Sequence, residues 1–411
     1  MSRIGPLGFS DHEWGVLLPL AFVGFFLNYD TGLLSLAAPS IADGLGVEVA
    51  TFGIGVAVIR LAAIASVPVL RHADRIGRRR TLLLSVTAFT IATALTALAW
   101  GLVAFVVFQL FARLFLATEE SVAGIVISEE LRPDRRGAGL SMLGIIAMAG
   151  FGLVALMLLV VPATPLGWRV LYVAALPPLL VVAWLRRSLR ETTAFEVAAA
   201  DDRVQSSFWP HVDAAHRPDL WRVTLLLGAA GVVATPAFFY AAELAQDVYG
   251  WEGLFTVIVL ASGPMTLAGY VVGGRVSDRY GRRPVILGCF VVAVAGVALV
   301  FSEERWLFAP GFFLMAATDA GFIAVRPAYI SELFPTEVRA TLLSFVFAVV
   351  VAGGSLGLVV IGVAARWTGM STSVAVVVLT AAMATSLVVL PRLPETAGRD
   401  VVRAPTSRSG T

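Results

Sequence analysis

Twelve stretches of the sequence are predominantly apolar and about 20 residues long, enough to cross a lipid bilayer as an α-helix. Of the 411 residues, 58% are hydrophobic and 14% are charged, whereas a soluble domain has about 45–50% and about 25%. Both departures indicate lipid as the solvent. We predict an all-α integral membrane protein with twelve transmembrane helices. The predicted spans are 14–38, 49–70, 81–99, 102–127, 137–161, 168–185, 221–245, 253–274, 285–301, 307–330, 340–363 and 372–390.

The composition excludes several kinds of chemistry. The sequence contains 30 arginines and no lysine, so it lacks the lysine of a phosphate-binding P-loop and cannot form a lysine Schiff base. Its one cysteine, Cys289, cannot form an internal disulfide or a thiolate zinc site. It also has no H-E-x-x-H pattern. We expect a protein that is not an enzyme and that uses no metal and no cofactor.

The placement of the arginines predicts the orientation of the chain. If the N-terminus is cytoplasmic, 24 of the 30 arginines fall in cytoplasmic segments, three fall in outer loops and three lie inside spans. Membrane proteins carry such an excess of basic residues in their cytoplasmic loops. We therefore expect a multi-pass protein of the plasma membrane, the inner membrane of a bacterium, with both termini in the cytoplasm. The arginine runs suit anionic membrane lipid better than nucleic acid.

An internal repeat divides the chain into two halves. The segment DRIGRRR begins at Asp74, and DRYGRRP begins at Asp278, 204 residues later. The segments SEELRP and RET recur as SELFP and PET at offsets of 202 and 204 residues. Such a repeat predicts two pseudo-symmetric six-helix halves, an architecture of secondary transporters. The predicted parts are an N-terminal half (1–186), a cytoplasmic linker (187–220), a C-terminal half (221–391) and a cytoplasmic tail (392–411).

These motifs resemble those of the major facilitator superfamily over nearly the whole chain. The D-R-x-G-R-R loops after spans two and eight are the most specific of them. The segments SELFPTEVRA after span ten, LPETAGR after span twelve and NYDTGLL in span one are similar to the sugar-porter and metabolite–proton symporter branches. The resemblance implies secondary transport by alternating access, with a substrate site near the middle of the membrane.

The sequence departs from those branches in span four. They carry an arginine at a fixed distance before the glutamate of the S-E-x-x-P segment, and here Gln109 or Leu110 occupies that place. Arg113 lies one helical turn further along. Span five has no Gly-Pro motif, which disfavours the drug–proton antiporter branch.

The two loop motifs are predicted to form a gate. An aspartate at a tight helix–helix turn can pair with arginines and bind the end of a neighbouring helix, and the glycine permits the turn. The alternative is a simple topology anchor under the preference for basic residues in the cytoplasm. The gating residues are Asp74, Arg75, Gly77, Arg78 and Arg79 in the first copy and Asp278, Arg279, Gly281, Arg282 and Arg283 in the second.

One carboxylate inside the spans is predicted to carry the coupling proton, and there are two candidates for it. An ionised side chain at membrane depth costs at least about 2.5–3.5 kcal/mol, so each is a functional hypothesis. Asp30 is the first choice because Asn-Tyr-Asp resembles the proton-binding motif of span one in the symporters. Glu120 in span four is the second. The competing interpretation is a purely structural ion pair, for which Asp30 and Arg113 are the obvious partners.

Five further residues are predicted to bind substrate. At 100° per residue, Gln109, Arg113 and Glu120 lie within about 40° of one another on one face of span four. Two central arginines can hold a carboxylate in bidentate fashion, which slightly favours an organic acid over a sugar. Asp319 shares a face of span ten with Arg326. The predicted substrate ligands are Asn28, Arg60, Gln109, Arg113 and Asp319.

We therefore predict a secondary active transporter, monomeric, that carries out proton-coupled symport of a small polar metabolite. The first alternative is proton-coupled efflux of an amphipathic compound, which a broad apolar cavity would favour. The second is a transporter-like sensor that binds its ligand without moving it across the membrane. The pair of loop motifs argues against the sensor.

Overall fold

The computed structural model describes residues 10–76, 78–130, 136–185, 217–334 and 336–396. Within these ranges the side chains of some helical segments, among them 66–78 and 120–145, lie outside the description. The described chain is built from helices, because a helix satisfies every internal backbone N–H and C=O within one segment, as lipid requires.

Among the described residues, seven α-helices precede the predicted linker. A capping box begins the first of them: Ser10 Oγ accepts the backbone N–H of Glu13 at 3.3 Å, and the Glu13 carboxylate accepts the backbone N–H of Ser10 at 2.8 Å. The helices are α1 (Asp11–Leu36), α2 (Ala38–Gly44), α3 (Val49–Ile76), α4 (Arg78–Ala97), α5 (Leu102–Glu130), α6 (Arg136–Leu158) and α7 (Arg169–Leu185).

Six more helices follow the predicted linker. Gly281 alone separates α9 from α10, and its φ of 107° lies in a region that side chains disfavour, so this turn requires glycine. The helices are α8 (Arg217–Glu243), α9 (Glu252–Tyr280), α10 (Arg282–Val300), α11 (Arg305–Leu333), α12 (Thr336–Thr368) and α13 (Thr372–Ala384). A π-helical turn follows α8 (Leu244–Val248), and a 3-10 helix follows α13 (Thr385–Arg392).

A helix occupies each of the twelve predicted spans. Among the described residues, eight helices are long and apolar enough to cross a membrane. The pair α2 and α3 passes the same test together with a bend of 108°, which makes nine spans if the pair is one span. Three shorter apolar stretches, Ile146–Leu158, Arg169–Ala183 and Thr372–Val388, fall at the remaining positions. The all-helical membrane fold is confirmed.

Glycines bring pairs of helices into backbone contact in both parts of the chain. A Cβ at Gly150 of α6 would collide with the carbonyl oxygen of Phe25 in α1. A Cβ at Gly353 of α12 would collide in the same way with Gly228 in α8. Lipid supplies no hydrophobic force between helices, so packing at such small residues holds them together. The repeat detected in the sequence therefore recurs as a repeated helix contact.

The chain forms two compact units, which we describe separately. The first unit contains α1 to α7 and the segment Ala245–Thr256. Two hydrogen bonds fix that segment within the first unit: Gln246 donates to the carbonyl oxygen of Leu36 at 2.7 Å, and Thr256 to that of Ala155 at 3.1 Å. The second unit contains α8, α9 from Val257 onward, and α10 to α13.

We expect Gly150→Ala to destabilise the first unit by about 1–3 kcal/mol, because the added methyl must displace the α1 backbone. The measurement is the thermal unfolding midpoint of the purified protein in detergent. Gly15→Ala is the matched control, since no atom lies within 4 Å of a Cβ at Gly15 and alanine favours the helix. Equal midpoints for the two variants would contradict the packing role of Gly150.

Candidate functional site

An ion pair joins α1 to α5 inside the first unit. Arg113 Nη1 lies 3.4 Å from Asp30 Oδ2 and donates a second hydrogen bond to Thr31 Oγ1 at 3.3 Å. Both side chains are largely shielded, with 12% of Arg113 and 4% of Asp30 exposed. This is the pair that the sequence predicts. The N–O distance of the pair is long, and Arg113 Nη1 also donates to a hydroxyl. Another acceptor can therefore compete for this donor.

Arg60 of α3 adds a second positive charge near this pair. It interacts electrostatically with Arg113, so a second guanidinium group lies within electrostatic reach of the arginine of the pair. Arg113 keeps an open donor, because its buried Nε has no hydrogen-bond partner among the described residues. Glu119 of α5 is also buried and has an interaction of its own. The arrangement suits an added anion.

Two tyrosines border the ion pair, and the sequence analysis did not single them out as part of it. Tyr29 donates from its hydroxyl to the carbonyl oxygen of Leu171 at 2.6 Å, which fixes α1 to α7. Tyr172 is fully buried within electrostatic reach of Asp30, and its hydroxyl has no hydrogen-bond partner among the described residues. The sequence gives no signal for Tyr172, since a tyrosine in an apolar span usually serves packing.

The other predicted residues of the first unit take different positions. Gln109 is fully buried and donates to Thr96 Oγ1 of α4 at 3.2 Å, so it lies inside the bundle beside a neighbouring helix. Asn28 is partly exposed and donates to the carbonyl oxygen of Gly24 in its own helix at 3.2 Å. The side chain of Glu120 lies outside the described residues. Their roles as ligands stay predictions.

Asp319 lies in the second unit, on a cavity of about 60 Å³ among α8, α10 and α11. Apolar side chains form almost the whole wall, including Phe238, Phe290 and Met315. Asp319 is the one charged residue among those that line the cavity. Arg326, seven residues further along α11, interacts with it electrostatically.

The second loop motif forms a network at one end of the second unit. We call it the basic end because it carries the arginines of the motif, and it also carries Gly281, Glu332 and Glu395. Arg282 donates to Glu332 through Nη2 at 2.7 Å and through Nε at 3.1 Å. It also donates through Nη1 to Asp278 Oδ1 at 2.6 Å. Arg279 does not join this network and stacks over the ring of Tyr280 at 5.5 Å.

Glu395 binds the beginning of α10. Its carboxylate accepts the backbone N–H groups of Arg282 at 2.7 Å and Arg283 at 3.1 Å, donors that a helix leaves unsatisfied at its first turn. Asp278, whose side chain is 69% exposed, pairs with no charged side chain other than Arg282 in the part of the chain that the structure describes. In this copy the carboxylate that caps the helix therefore comes from the PET segment, not from the aspartate of the loop motif.

The chain after the 3-10 helix is fixed to the same basic end. Tyr329 donates from its hydroxyl to the carbonyl oxygen of Pro394 at 2.9 Å, and Thr396 donates to Glu332 at 2.8 Å. Leu393 is buried in the apolar cluster of this end. Glu332 and Glu395 are functional candidates that sequence reasoning missed, although the SELFP and PET repeats that contain them were available as signals.

Most of the first loop motif cannot be compared with this network. The side chains of Asp74, Arg75 and Arg78 and the whole of Gly77 lie outside the described residues. Arg79 is described and has an interaction partner. A gating role for either copy stays a prediction.

These features define an integral membrane transporter: a helical bundle with an internal repeat, interior charges on several helices and ion networks at a basic end. The sequence profile described as Major Facilitator Superfamily matches residues 20–273 and 262–408, and the chain belongs to this family. The family resemblance of the sequence motifs is confirmed, and the protein is a transporter and not an enzyme.

Relatives of the chain are named as transporters of small molecules. A protein of Cupriavidus pinatubonensis named as a probable 4-methylmuconolactone transporter is 26% identical over 388 residues, which cover 90% of this chain and 88% of the relative. The proline/betaine transporter of Escherichia coli K12 is 26% identical over 311 residues, which cover 68% and 62%. A crystal structure of a D-xylose–proton symporter has the same fold, with a TM-score of 0.74 at 16% identity over 95% of this chain and 100% of that one.

We expect Glu332→Gln to destabilise the second unit more than Asp278→Asn does. The first change removes a charged acceptor from Arg282 where both side chains are about nine-tenths buried, a loss of about 1.5–3 kcal/mol. The second changes an exposed ion pair, worth under about 1 kcal/mol. Thermal unfolding in detergent measures both. A larger effect of Asp278→Asn would show that the exposed pair, and not Glu332, holds Arg282.

Proposed function

We propose that this transporter carries out proton-coupled symport, by alternating access, of a small polar metabolite that bears a carboxylate. The observation that carries the proposal is the interior of the first unit, where Arg113 holds the carboxylate of Asp30 and interacts electrostatically with a second guanidinium group, that of Arg60. Two guanidinium groups in a largely dehydrated site favour a planar anion, because each can donate two parallel hydrogen bonds to it.

Competition for Arg113 gives a physical route to coupling. When Asp30 is ionised, it holds the Arg113 guanidinium at 3.4 Å. Protonation removes the charge of Asp30 and frees Arg113 for the carboxylate of the substrate. Proton and substrate then favour each other's binding, which is the thermodynamic requirement for symport. Loss of the proton on the other side restores the ion pair and displaces the substrate.

One relative supports a carboxylate as part of the substrate, and a second supports a small metabolite. Proline and betaine, which the Escherichia coli relative is named for, are small molecules with a carboxylate group. The substrate of the Cupriavidus relative is likewise a small metabolite by its name. We propose Glu120 as the second site of protonation, and Asn28 and Gln109 as polar groups that assist binding.

The orientation belongs to the same proposal. The 24 arginines that share one side against three on the other support cytoplasmic termini in a plasma membrane. The basic end of the second unit would then face the cytoplasm, where the network around Arg282 would close and open during the transport cycle. We propose that the protein works as a monomer.

A second candidate function is proton-coupled efflux of an amphipathic compound. The cavity around Asp319 favours it, because its wall is apolar with a single carboxylate. Such a cavity suits a compound with an apolar body and a positive charge better than it suits a sugar.

Purified protein in liposomes that contain a pH-sensitive dye distinguishes the two candidates. We expect internal acidification when one of a panel of external carboxylates is added, because symport brings a proton in with each substrate. Sugars and cationic amphiphiles complete the panel, and protein-free liposomes are the control. Internal alkalinisation on adding an amphiphile to liposomes that are acidic inside would replace symport by antiport.

We expect Asp30→Asn to abolish proton-driven accumulation and to keep exchange of substrate across the membrane. Asparagine retains the shape of the side chain but cannot take up and release a proton. Radiolabelled uptake with and without an imposed proton gradient measures accumulation, and counterflow measures exchange. Glu304→Gln, an exposed acid whose side chain makes no capping bond, is the control. Uphill accumulation by Asp30→Asn would assign the proton to another residue.

A further inference from the structure

The cavity of the second unit presents one carboxylate, that of Asp319, to a mostly apolar space. Its volume of about 60 Å³ has room for about four to six water-sized groups, since one water needs roughly 10–15 Å³. A carboxylate among apolar side chains loses part of its hydration and favours a compensating partner.

The surroundings of Asp319 supply little compensation. Among the described residues no hydrogen bond or ion pair reaches its carboxylate. The neighbouring Thr318 hydroxyl donates to the carbonyl oxygen of Leu314 in its own helix at 2.7 Å. The titratable and charged groups within electrostatic reach are Tyr270 of α9, Cys289 of α10 and Arg326 of α11. Arg326 is two helical turns away, about 10.5 Å along the axis.

The cavity occupies positions that hold the ion pair in the other unit. Gly150 meets Phe25 in the first unit as Gly353 meets Gly228 in the second, which places equivalent residues 203 apart. By that offset Asp30 corresponds to Val233 and Arg113 to Ala316, and Val233 lines the cavity together with Ala316's neighbour Met315. Short or apolar side chains leave open the space that charged side chains occupy in the first unit.

Three phenyl rings stand around the same space as Asp319. Phe238, Phe290 and Phe322 come from α8, α10 and α11. Phe238 is held in orientation by Phe312, which meets it edge to face at 5.6 Å between ring centroids. The faces of aromatic rings carry negative potential and attract cations, above all alkylated ammonium groups.

We propose that this cavity binds the alkylated ammonium group of a small organic ligand, with Asp319 as counter-ion and the three phenylalanine rings as walls. A hard metal cation needs about six oxygen ligands, and the lining offers the two of one carboxylate. A proton would neutralise Asp319 but would leave the space empty. A nitrogen with three methyl groups fills about four water-sized volumes and needs no hydrogen-bond acceptor. This inference concerns binding alone and does not depend on the proposed proton coupling.

The test compares choline with 3,3-dimethyl-1-butanol, a neutral molecule of the same shape. Equilibrium binding to the purified full-length protein is measured for radiolabelled choline, with the alcohol as competitor. We expect choline to bind about tenfold or more tightly than the alcohol, because the two differ only in charge. No saturable binding of choline, or equal affinity for the two molecules, would overturn the proposal.

Variants separate the charge from the aromatic wall. We expect Asp319→Asn to remove the preference for choline and Phe238→Leu to weaken choline without weakening the alcohol. Glu304→Gln, an exposed acid of the same unit, is the control and is expected to bind as the unmodified protein does. A preference for choline that survives Asp319→Asn would place the site elsewhere, even if Phe238→Leu fails to fold.

Alkylation of the single cysteine tests whether choline binds in this cavity. Cys289 lines the cavity and is partly exposed, so its alkylation by N-ethylmaleimide reports whether the space is filled. We expect saturating choline to slow this alkylation about fivefold or more in the unmodified protein and to leave it unchanged in Asp319→Asn. Binding of choline without protection of Cys289 would contradict the assignment to this cavity. Carboxylate uptake is measured separately, so its failure leaves this result intact.

Discussion

An ionised side chain in hydrocarbon costs at least about 2.5–3.5 kcal/mol, and this cost explains where the interior charges of this transporter lie. Asp30 and Arg113 meet each other across two helices, and Arg60 stands beside them. Asp319 instead faces a cavity with aromatic walls. Neither arrangement is a closed, fully satisfied network. Sites that keep unused donors or acceptors inside a membrane suit binding better than they suit stability, because the missing partner can be a ligand.

The basic end of the second unit differs from these two sites, because its charged groups are paired with one another. Arg282 has several partners, Glu395 saturates the first N–H groups of α10, and Leu393 anchors the same segment in an apolar cluster. A network in which one side chain has several partners is more stable than separate pairs, since ordering that side chain lowers the entropic cost of each further contact. A surface held by one exposed pair could separate at little cost. Separation of this network must break several charge-assisted bonds together.

The sequence predicted best those structural features that depend on a local periodicity or a repeat. Apolar runs of fixed length located a helix at every predicted span, and the sequence named Asp30 and Arg113 as partners of an ion pair, which they form. It failed for contacts that depend on how helices rotate against each other. Helical spacing grouped Gln109 with Arg113, yet Gln109 turns toward Thr96 of α4. The capping of α10 by Glu395 joins residues 113 apart in the chain, and no local pattern encodes that contact.

The repeat shows which part of the duplicated half is constrained. Backbone contacts recur in both units, since Gly150 and Gly353 each meet a carbonyl where any larger residue would collide. The interior side chains have no such restriction: the positions that correspond to Asp30 and Arg113 are Val233 and Ala316. Helix packing in lipid depends on close approach of small residues, whereas an interior position can change its charge once a partner or a space is available. One scaffold can thus hold an ion pair at these positions in one unit and uncharged side chains beside a cavity in the other.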